Sequence, residues 1–282
     1  MSIDSSSTVL ITGASSGFGL LTAIALAKEG YHVVASMRNT AKQTKLQEQA
    51  RLAQVTKRID IRQLDVTDTA SIPFFIDQVI TDYGHLDVLI NNAGFASGGF
   101  VEDIPLAKWR VQFETNFFGA LAMMQAVLPH MRQRRSGTII NISSVSAILG
   151  FPGMGPYSAS KFALEGLSES LRLEMAPYGV RVVLIEPASY KTDIWEKGMA
   201  QSSLSPDSPY KARIAALQKE VENIARTSGD PQEVVRLISR ILTKKKPKLR
   251  YPIGKGAKSL ARAKSLVPWH FIERLLTRNM PL

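Results

Sequence analysis

The sequence predicts one α/β domain over residues 1–282, built on a doubly wound (Rossmann-type) parallel sheet of about seven strands with helices on both faces. Two observations lead to this prediction. Short runs rich in Val, Ile and Leu alternate along the chain with longer amphipathic segments, which is the order of strands and helices in a βαβ fold. Most of the short runs are apolar at every position, as strands are when helices cover both faces of a parallel sheet.

Each element follows from this alternation. Strands are expected at residues 8–12, 32–36, 58–64, 86–91, 138–142, 181–186 and 248–251. Helices are expected near residues 18–29, 40–53, 68–83, 105–132, 157–177, 209–225 and 231–243. Ligands bind such a sheet at the carboxyl ends of its strands, so each binding motif should follow a strand.

Composition narrows the classes of protein that fit this chain. It has no cysteine, which excludes disulfides and thiol catalysis, and its four scattered histidines offer no metal-ligand spacing. No apolar run reaches the ~18 residues of a membrane-spanning helix, and residues 1–8 do not resemble a secretory signal. We therefore expect a cytoplasmic protein with no bound metal.

The net charge of +11 is concentrated in one region. Residues 244–278 carry eleven Lys or Arg against one acid, Glu273, so the rest of the chain is close to neutral. We call residues 244–282 the basic C-terminal extension. It is expected to be a solvated face, a cover for the substrate cleft, a subunit contact, or a surface for an anionic partner such as a membrane. Nucleic-acid binding is not expected as the main function.

A glycine-rich turn follows the first predicted strand. Glycines let the backbone turn sharply and approach a pyrophosphate, and the helix that follows offers unpaired N–H groups and a positive dipole end. The predicted cofactor-binding residues of this turn are Gly13, Ser15, Ser16, Gly17, Phe18 and Gly19. The alternative is a strand-to-helix turn that binds no ligand.

The second predicted strand ends at Ser36, and Arg38 follows two residues later. A site for NAD usually places a carboxylate here to accept from the ribose hydroxyls, whereas the 2′-phosphate of NADP needs a cation. Ser36 and Arg38 therefore favour NADP(H) over NAD(H). The alternative is that Arg38 is an exposed loop cation.

Polar motifs also follow the third and fourth strands. Asp65, next to Val66, is placed either to accept from an adenine amino group or to cap the following helix. In the run Asn91-Asn92-Ala93-Gly94, the two small residues let the backbone pass close to a cofactor, while the side-chain amides of the two asparagines tie neighbouring loops. A plain Asn/Gly turn is the alternative for this run.

Asn116 lies among apolar residues inside a long helical pattern. An amide in such a position needs hydrogen-bond partners. It is either a satisfied core amide or a residue that diverts a backbone carbonyl and so recruits water.

Tyr157 and Lys161 are four residues apart on a predicted helix, so their side chains share one face about one turn apart. An ammonium about 4 Å from a phenolate contributes roughly 4 kcal/mol at an effective dielectric near 20. We therefore expect Lys161 to bring the pKa of Tyr157 from about 10 toward neutrality, where an acid/base catalyst works best. A second Tyr-x-x-x-Lys, Tyr251 and Lys255, contains Pro252 and is not expected on a helix.

Taken together, these motifs resemble the short-chain dehydrogenase/reductase family in order and separation, over roughly residues 8–195. The resemblance implies that Tyr157 is the general acid/base and that Lys161 lowers its pKa and holds the nicotinamide ribose. It also implies that Ser144 hydrogen-bonds the substrate oxygen as a preorganised donor and that Asn116 maintains a water relay. Ser143 has the same chemistry but lies one residue out of register.

The resemblance extends beyond the catalytic residues. Pro187, Ala188 and Thr192 are similar to the family's loop that contacts the nicotinamide carboxamide, with Ala188 in place of a glycine. Residues 189–225 are expected to form a substrate lid. An apolar substrate pocket is predicted at Ile148, Leu149, Phe151, Met154, Trp195 and Met199, unless several of these are core residues.

The resemblance thus implies an NADP(H)-dependent carbonyl reductase or alcohol dehydrogenase. Its substrate would be a hydrophobic ketone, aldehyde or secondary alcohol, such as a steroid-, retinoid- or aryl-ketone-like compound. The Ser36-x-Arg38 segment and the basic extension resemble the branch with 17β-hydroxysteroid and retinol dehydrogenases. A homo-oligomer, dimer or tetramer, is expected through the helices near 105–132 and 157–177. The alternative function is a non-catalytic NADP(H)-sensing or interaction protein on the same fold.

Overall fold

A single sheet of seven parallel strands organises the chain in a computed structural model, which describes residues 7–192, 208–213, 219 and 226–278. The strand order is β3-β2-β1-β4-β5-β6-β7, so the direction of winding reverses between β1 and β4. The strands are β1 Thr8–Ile11, β2 His32–Met37, β3 Ile59–Gln63, β4 Val88–Asn91, β5 Gly137–Ile142, β6 Val180–Pro187 and β7 Arg250–Ile253. The predicted fold class is confirmed.

Helices cover both faces of this sheet. They are α1 Gly17–Lys28, α2 Thr44–Leu52, α3 Ile72–Tyr83, α4 Leu106–Phe113, α5 Gly119–Arg134, α6 Gly155–Met175, α7 Gln232–Leu242, α8 Ala257–Leu266 and α9 Trp269–Arg278. Helices α1, α2 and α7 pack on one face, and α3, α5 and α6 pack on the other. Two apolar layers therefore enclose the sheet.

Strand β1 shows why apolar runs in the sequence form the central strands of the sheet. Val9 and Ile11 face one apolar layer, while Leu10 faces the other, and all three are fully buried. Side chains of a strand alternate between its faces, so a strand covered on both sides needs apolar residues at every position.

Strand β3 departs from this pattern because it lies at the edge of the sheet. Its residues are half-buried or exposed, and they include Asp60 and Arg62. Arg62 forms ion pairs with Asp60 and with Asp82 of α3. Charged side chains are usual on an edge strand, where they discourage pairing with another chain.

Three helical predictions differ from the structure, and the helix predicted over 209–225 lies largely outside the described residues. The helix predicted over 40–53 is a 3-10 turn, Thr40–Lys42, followed by α2. The helix predicted near 68–83 begins only at Ile72, because Asp68 and Ser71 take part in turns, with the Ser71 N–H donating to the Asp68 carbonyl. The single helix predicted near 105–132 consists of α4, a π-helical turn over Glu114–Phe118, and α5. A π-turn adds a residue to the helical turn, and such turns are frequent at functional sites.

The basic extension forms β7, α8 and α9, and Pro268 separates its two helices. Helix α8 packs against β7 and against the 3-10 turn Val145–Ala147. In the part of the chain that the structure describes, we find no helix with both the length and the apolar character required to cross a bilayer.

Candidate active site

The carboxyl ends of β1, β4, β5 and β6 bring most of the predicted motifs to one edge of the sheet. The glycine turn follows β1, the Asn92 run follows β4, Ser144 follows β5, and the loop up to Thr192 follows β6. Because these strands are neighbours, their loops lie side by side. The candidate site is therefore assembled by the sheet order.

Glycines let the turn after β1 lie directly on the loop after β4. Gly13 has a positive φ of 70°, and a Cβ atom there would lie 2.8 Å from the Cα of Ala93. A Cβ on Gly19 would lie 2.5 Å from the Asn92 Nδ2 atom. That amide donates to the carbonyls of Thr12 at 2.8 Å and Gly13 at 3.1 Å. The predicted tie between the two loops is thus present, and both glycines are needed for it.

The turn leads into the amino end of α1. Ser16 precedes the helix in an extended conformation, and no acidic residue lies in the first turn. The first N–H groups of a helix have no partner within it and carry partial positive charge. A Cβ on Gly17 would lie 3.6 Å from the Cβ of Thr192, so the loop after β6 faces this helix end. Ser15 and Phe18 are half-buried beside it.

Ser36 and Arg38 have different environments at the end of β2. Ser36 is 1% exposed, and its hydroxyl donates to the carbonyl of Ile11 at 3.2 Å. That hydroxyl is therefore held inside the sheet, and a contact of Ser36 with the cofactor stays a prediction. Arg38 is exposed at the surface.

Asp65 stabilises its own turn. Its Oδ1 atom accepts from the Thr67 backbone N–H at 3.0 Å and from the Thr67 hydroxyl at 2.8 Å. Asp65 does not cap α3, which begins at Ile72, so that alternative is wrong. Val66 is buried, and a Cβ on Gly119 would lie 2.8 Å from its carbonyl oxygen. This contact fixes the turn against α5.

This edge fits a nicotinamide dinucleotide. The donors at the amino end of α1, the absence of an acid in its first turn and the close approach of Gly13 suit a pyrophosphate. The exposed guanidinium of Arg38 lies at the end of the neighbouring strand.

The four predicted catalytic residues lie close together, and all four are buried. Ser144 precedes the turn after β5, and its hydroxyl shares a hydrogen bond with the Tyr157 phenol. Lys161, one turn further along α6, donates from Nζ to the Ile142 carbonyl at 2.8 Å. Its ammonium lies 5.8 Å from the centre of the Tyr157 ring. Ser144, and not its buried neighbour Ser143, is thus the serine that meets the tyrosine.

Asn116 lies in the π-turn and is fully hydrogen-bonded to other elements. Its Oδ1 accepts from the Phe95 N–H at 3.1 Å, and its Nδ2 donates to the Phe95 carbonyl at 2.9 Å and to the Ser160 hydroxyl at 3.3 Å. A Cβ on Gly94 would lie 3.1 Å from this Oδ1 and 3.8 Å from the Lys161 Nζ atom. Asn116 therefore clamps the loop after β4 to α6, beside Lys161.

Burial controls the protonation of the central pair. It raises the pKa of Tyr157 above its usual 10, and the hydrogen bond from Ser144 opposes this only in part. Burial also lowers the pKa of Lys161 to about 8, with Glu165 opposing the change. The expected lowering of the Tyr157 pKa by Lys161 is therefore wrong in this structure. The Lys161 ammonium is bonded to the Ile142 carbonyl, and desolvation of the phenol dominates.

A charge cluster near Lys161, partly buried, was not predicted from the sequence. Arg250 pairs with Glu165 at 2.9 Å, with Glu169 at 2.8 Å and with Glu186 at 3.3 Å. Glu186 is 2% exposed, and burial together with the Glu165 charge raises its pKa to about 7. The available signal was the glutamate that follows the apolar run over residues 182–185 near the end of strand β6.

The predicted substrate pocket is only partly described. Ile148, Phe151 and Met154 are half-buried on the loop between β5 and α6, where they can line a cleft. Leu149 is 1% exposed and belongs to the core, as the alternative held. Trp195 and Met199 lie outside the described residues, as does most of the predicted lid over 189–225.

The loop after β6 is held firmly where it can be described. Pro187 ends β6, and the Ala188 N–H donates to the Ile253 carbonyl at 2.8 Å, so Ala188 extends the sheet. Tyr190, which the sequence analysis did not identify, is buried and packs edge-on against Phe18 at 5.6 Å. Its hydroxyl donates to Glu233 of α7 at 3.0 Å. These contacts fix the start of the loop that carries Thr192.

Comparison with known proteins gives consistent matches. A family model described as short chain dehydrogenase matches residues 7–202. An uncharacterized oxidoreductase of Bacillus subtilis, YusZ, is 45% identical over 96% of this chain and 97% of its own length. A 3-ketodihydrosphingosine reductase of Bacteroides thetaiotaomicron is 35% identical over 95% and 96%. Human retinol dehydrogenase 8 is 37% identical over 86% and 80%.

Solved structures share the whole fold. A short-chain dehydrogenase from Streptomyces avermitilis superposes with a TM-score of 0.81 at 33% identity, covering 98% of both chains. ElxO with NADP bound has a TM-score of 0.72 at 27% identity, over 90% of this chain and 99% of its own. NAD⁺-bound xylitol dehydrogenase has a TM-score of 0.73 at 26% identity, over 89% and 98%. The neighbours thus include both cofactors.

Proposed function

Because the chain belongs to the short-chain dehydrogenase family, we propose that it is an NADP(H)-dependent carbonyl reductase acting on hydrophobic ketones or aldehydes, with the matching alcohols as products. One observation carries the proposal. A buried tyrosine phenol shares a hydrogen bond with Ser144 and lies one helical turn from Lys161, at the edge of the sheet that fits the cofactor.

The residues divide the chemistry of carbonyl reduction between them. When bound, the nicotinamide supplies a hydride to the carbonyl carbon. Tyr157 keeps its proton at neutral pH because burial raises its pKa, so it is placed to give that proton to the carbonyl oxygen. The Ser144 hydroxyl donates to the same oxygen as negative charge develops there. Lys161 is charged below about pH 8 and, one helical turn from the tyrosine, is placed to hold the nicotinamide ribose.

We assign the cofactor to the edge described above. The proposed contacts are Gly13, Ser15, Ser16, Gly17, Phe18, Gly19, Arg38, Asp65, Val66, Asn92, Ala93, Gly94, Tyr157, Lys161, Pro187, Ala188 and Thr192. Asn116 supports them by holding the Phe95 loop against α6.

We assign NADP(H) as the preferred cofactor. Strand β2 contains no Asp or Glu that would repel a 2′-phosphate, and Arg38 follows it with an exposed guanidinium. The solved neighbours bind either cofactor, so this assignment depends on Arg38.

The proposed substrate is a long-chain or ring-bearing apolar carbonyl compound. Ile148, Phe151 and Met154 lie on the loop between Ser144 and Tyr157, where apolar side chains suit such a molecule. The names of two relatives, a ketodihydrosphingosine reductase and a retinol dehydrogenase, also support an apolar substrate.

We further propose that residues 189–225 form a lid over the bound substrate. We also propose that the protein acts in the cytoplasm, which suits a chain without cysteine.

The proposal is tested by replacing Tyr157 with Phe and following NADPH consumption against a panel of apolar ketones and aldehydes. Tyr157→Phe should lower kcat by about 10³-fold, since general acid catalysis contributes roughly 10²–10⁴-fold, while NADPH still binds with nearly unchanged Kd. Tyr251→Phe is the matched control. Tyr251 begins the second Tyr-x-x-x-Lys, which lies on β7 and not on a helix, so full activity is expected.

Normal turnover by Tyr157→Phe would remove this residue from the mechanism. A wild-type protein that binds NADPH but reduces no carbonyl compound would favour the alternative of a cofactor-sensing protein.

A further inference from the structure

The end of the basic extension presents an apolar surface that the domain does not cover. Leu266 is 80% exposed, Val267 37%, Trp269 52%, Phe271 53% and Leu275 68%. We call these five residues the apolar tail face. They lie on the end of α8, on the connection to α9 and on α9 itself.

The sequence of α9 separates apolar from polar residues around the helix. At 100° per residue, its apolar side chains fall on one side, and His270, Glu273 and Arg274 fall on the other. A helix of ten residues is about 15 Å long, which is too short to span a bilayer but long enough to lie in its surface.

Positive charge surrounds the apolar tail face. Residues 255–278 carry six Lys or Arg against Glu273 alone. Lys258, Arg262 and Lys264 of α8 are exposed, and the Lys264 ammonium lies 4.5 Å from the centre of the Trp269 ring. The surface therefore combines exposed aromatic and aliphatic side chains with a cationic rim.

Helix α8 of the basic extension lies on the same side of the sheet as the candidate active site. Helix α8 follows the carboxyl end of β7 and packs against Val145–Ala147, the turn that begins directly after Ser144.

We propose that the apolar tail face docks the protein onto an anionic lipid surface. Aromatic and aliphatic side chains enter the boundary between headgroups and acyl chains, while the cationic rim contacts negative headgroups. A second copy of the chain is a poorer occupant. A two-fold interface would set the same cationic patch against itself, with Glu273 as the one acid of each basic extension to offset it. The docking does not depend on the proposed reaction.

The experiment measures binding of the full chain to vesicles by flotation. Wild-type protein should bind vesicles containing phosphatidylglycerol and should bind pure phosphatidylcholine vesicles at least about tenfold more weakly. Raising the salt from about 0.1 M to about 1 M, which shortens the Debye length from about 10 Å to about 3 Å, should release much of the bound protein. Trp269→Glu combined with Leu275→Glu should lower binding at least about tenfold.

Matched variants separate docking from general effects. Phe74→Glu removes an equally exposed apolar side chain on α3 and should bind like wild type. Lys258→Glu with Arg262→Glu should weaken binding, whereas the same reversal on α2, Lys45→Glu with Arg51→Glu, should weaken it far less. These tail variants should unfold at the wild-type temperature because the changed side chains are exposed.

Three results would overturn the proposal. They are failure of the wild-type protein to bind anionic vesicles at low salt, equal binding by the tail variants, and loss of self-association in the tail variants without any vesicle binding. The last result would assign the face to a second copy of the chain. Loss of carbonyl reduction with vesicle binding intact would count against the proposed function alone.

Discussion

At the end of β2, two residues separated by Met37 differ in what they can contact. The Ser36 hydroxyl is bonded to the Ile11 carbonyl inside the sheet, and Met37 is buried. Arg38 is the first residue after the strand whose side chain reaches solvent. The proposed preference for NADP(H) therefore depends on the Arg38 guanidinium, since the side chains of Ser36 and Met37 are buried.

Arg38→Ala should raise the Michaelis constant for NADPH by about ten- to a hundredfold, because a charge-assisted contact to phosphate contributes about 1.5–3 kcal/mol. The Michaelis constant for NADH should change little. The check is steady-state kinetics with both cofactors and one carbonyl substrate, with Arg51→Ala as an exposed control cation on α2. Equal effects on both cofactors would contradict a 2′-phosphate role.

The environments of Tyr157 and Ser36 could not be predicted from the sequence. The spacing of Tyr157 and Lys161 correctly predicts that they share a face of α6. Spacing alone does not reveal that the phenol is buried or that the ammonium bonds to the Ile142 carbonyl, and those facts decide the direction of the Tyr157 pKa. Likewise, it does not show that the Ser36 hydroxyl points into the sheet.

Among the elements, α6, β6 and β7 are joined by one charge cluster in which Glu165 and Glu186 are buried. Arg250 of β7 contacts Glu165 and Glu169 of α6 and Glu186 of β6. Two of these carboxyls have raised pKa values because burial disfavours their charge. The helix that carries Tyr157 and Lys161 is thus fixed to the far edge of the sheet by ionisable groups.

This cluster makes stability depend on pH. The pKa of Glu186 is about 7 in the folded protein against an ordinary value of 4.5. Below pH 4.5 the residue is protonated in both folded and unfolded chains, so it contributes no difference. As the pH rises from 4.5 through 7, the folded protein must give up a proton that it holds more tightly than the unfolded chain, so stability is lost.

Glu186→Gln should therefore flatten the pH dependence of the free energy of unfolding between pH 4.5 and 7, by on the order of 2 kcal/mol. Urea denaturation at pH 5 and at pH 7.5 measures this. Glu174→Gln, which changes an exposed acid on α6, should leave the wild-type pH dependence in place. A Glu186→Gln variant with the full wild-type slope would contradict the assigned pKa.

Strands and helices can be predicted from sequence where the local pattern of apolar and polar residues determines them. The central strands are found within one or two residues because burial on both faces favours runs of apolar residues, as at residues 9–11 of β1. The π-turn around Asn116 depends on hydrogen bonds to Phe95 and Ser160, which local periodicity does not encode. Arg250 is 85 residues from Glu165, so their contact follows only from the strand order.

For the whole molecule, a second set of exposed apolar residues lies on α4, α6 and the π-turn. Its exposed residues are Leu106, Val111, Phe118, Phe162 and Leu173. Leu106 and Phe118 also line a shallow groove with Trp109. Exposed patches of this kind often mark contacts between subunits, and we propose this face for the expected homo-oligomer.

Phe162→Glu combined with Leu173→Glu should lower the mass in solution to that of a smaller species, because buried acids without partners oppose association. Sedimentation equilibrium measures the mass. Leu52→Glu, at an exposed leucine of α2, is the control and should keep the wild-type mass. An unchanged mass in the double variant would exclude this face as the subunit contact.

The close approach of Gly13 to Ala93 also bears on protein engineering. A Cβ atom on Gly13 would lie 2.8 Å from the Cα of Ala93, so the two loops tolerate no added carbon there. A Cβ atom on Gly19 would likewise clash with the Asn92 side chain. Redesign of cofactor preference thus has little freedom in the glycine turn. Directed libraries for this enzyme scaffold are better placed at Arg38 and its exposed neighbour Asn39, where a new side chain extends into solvent and leaves the packed loops undisturbed.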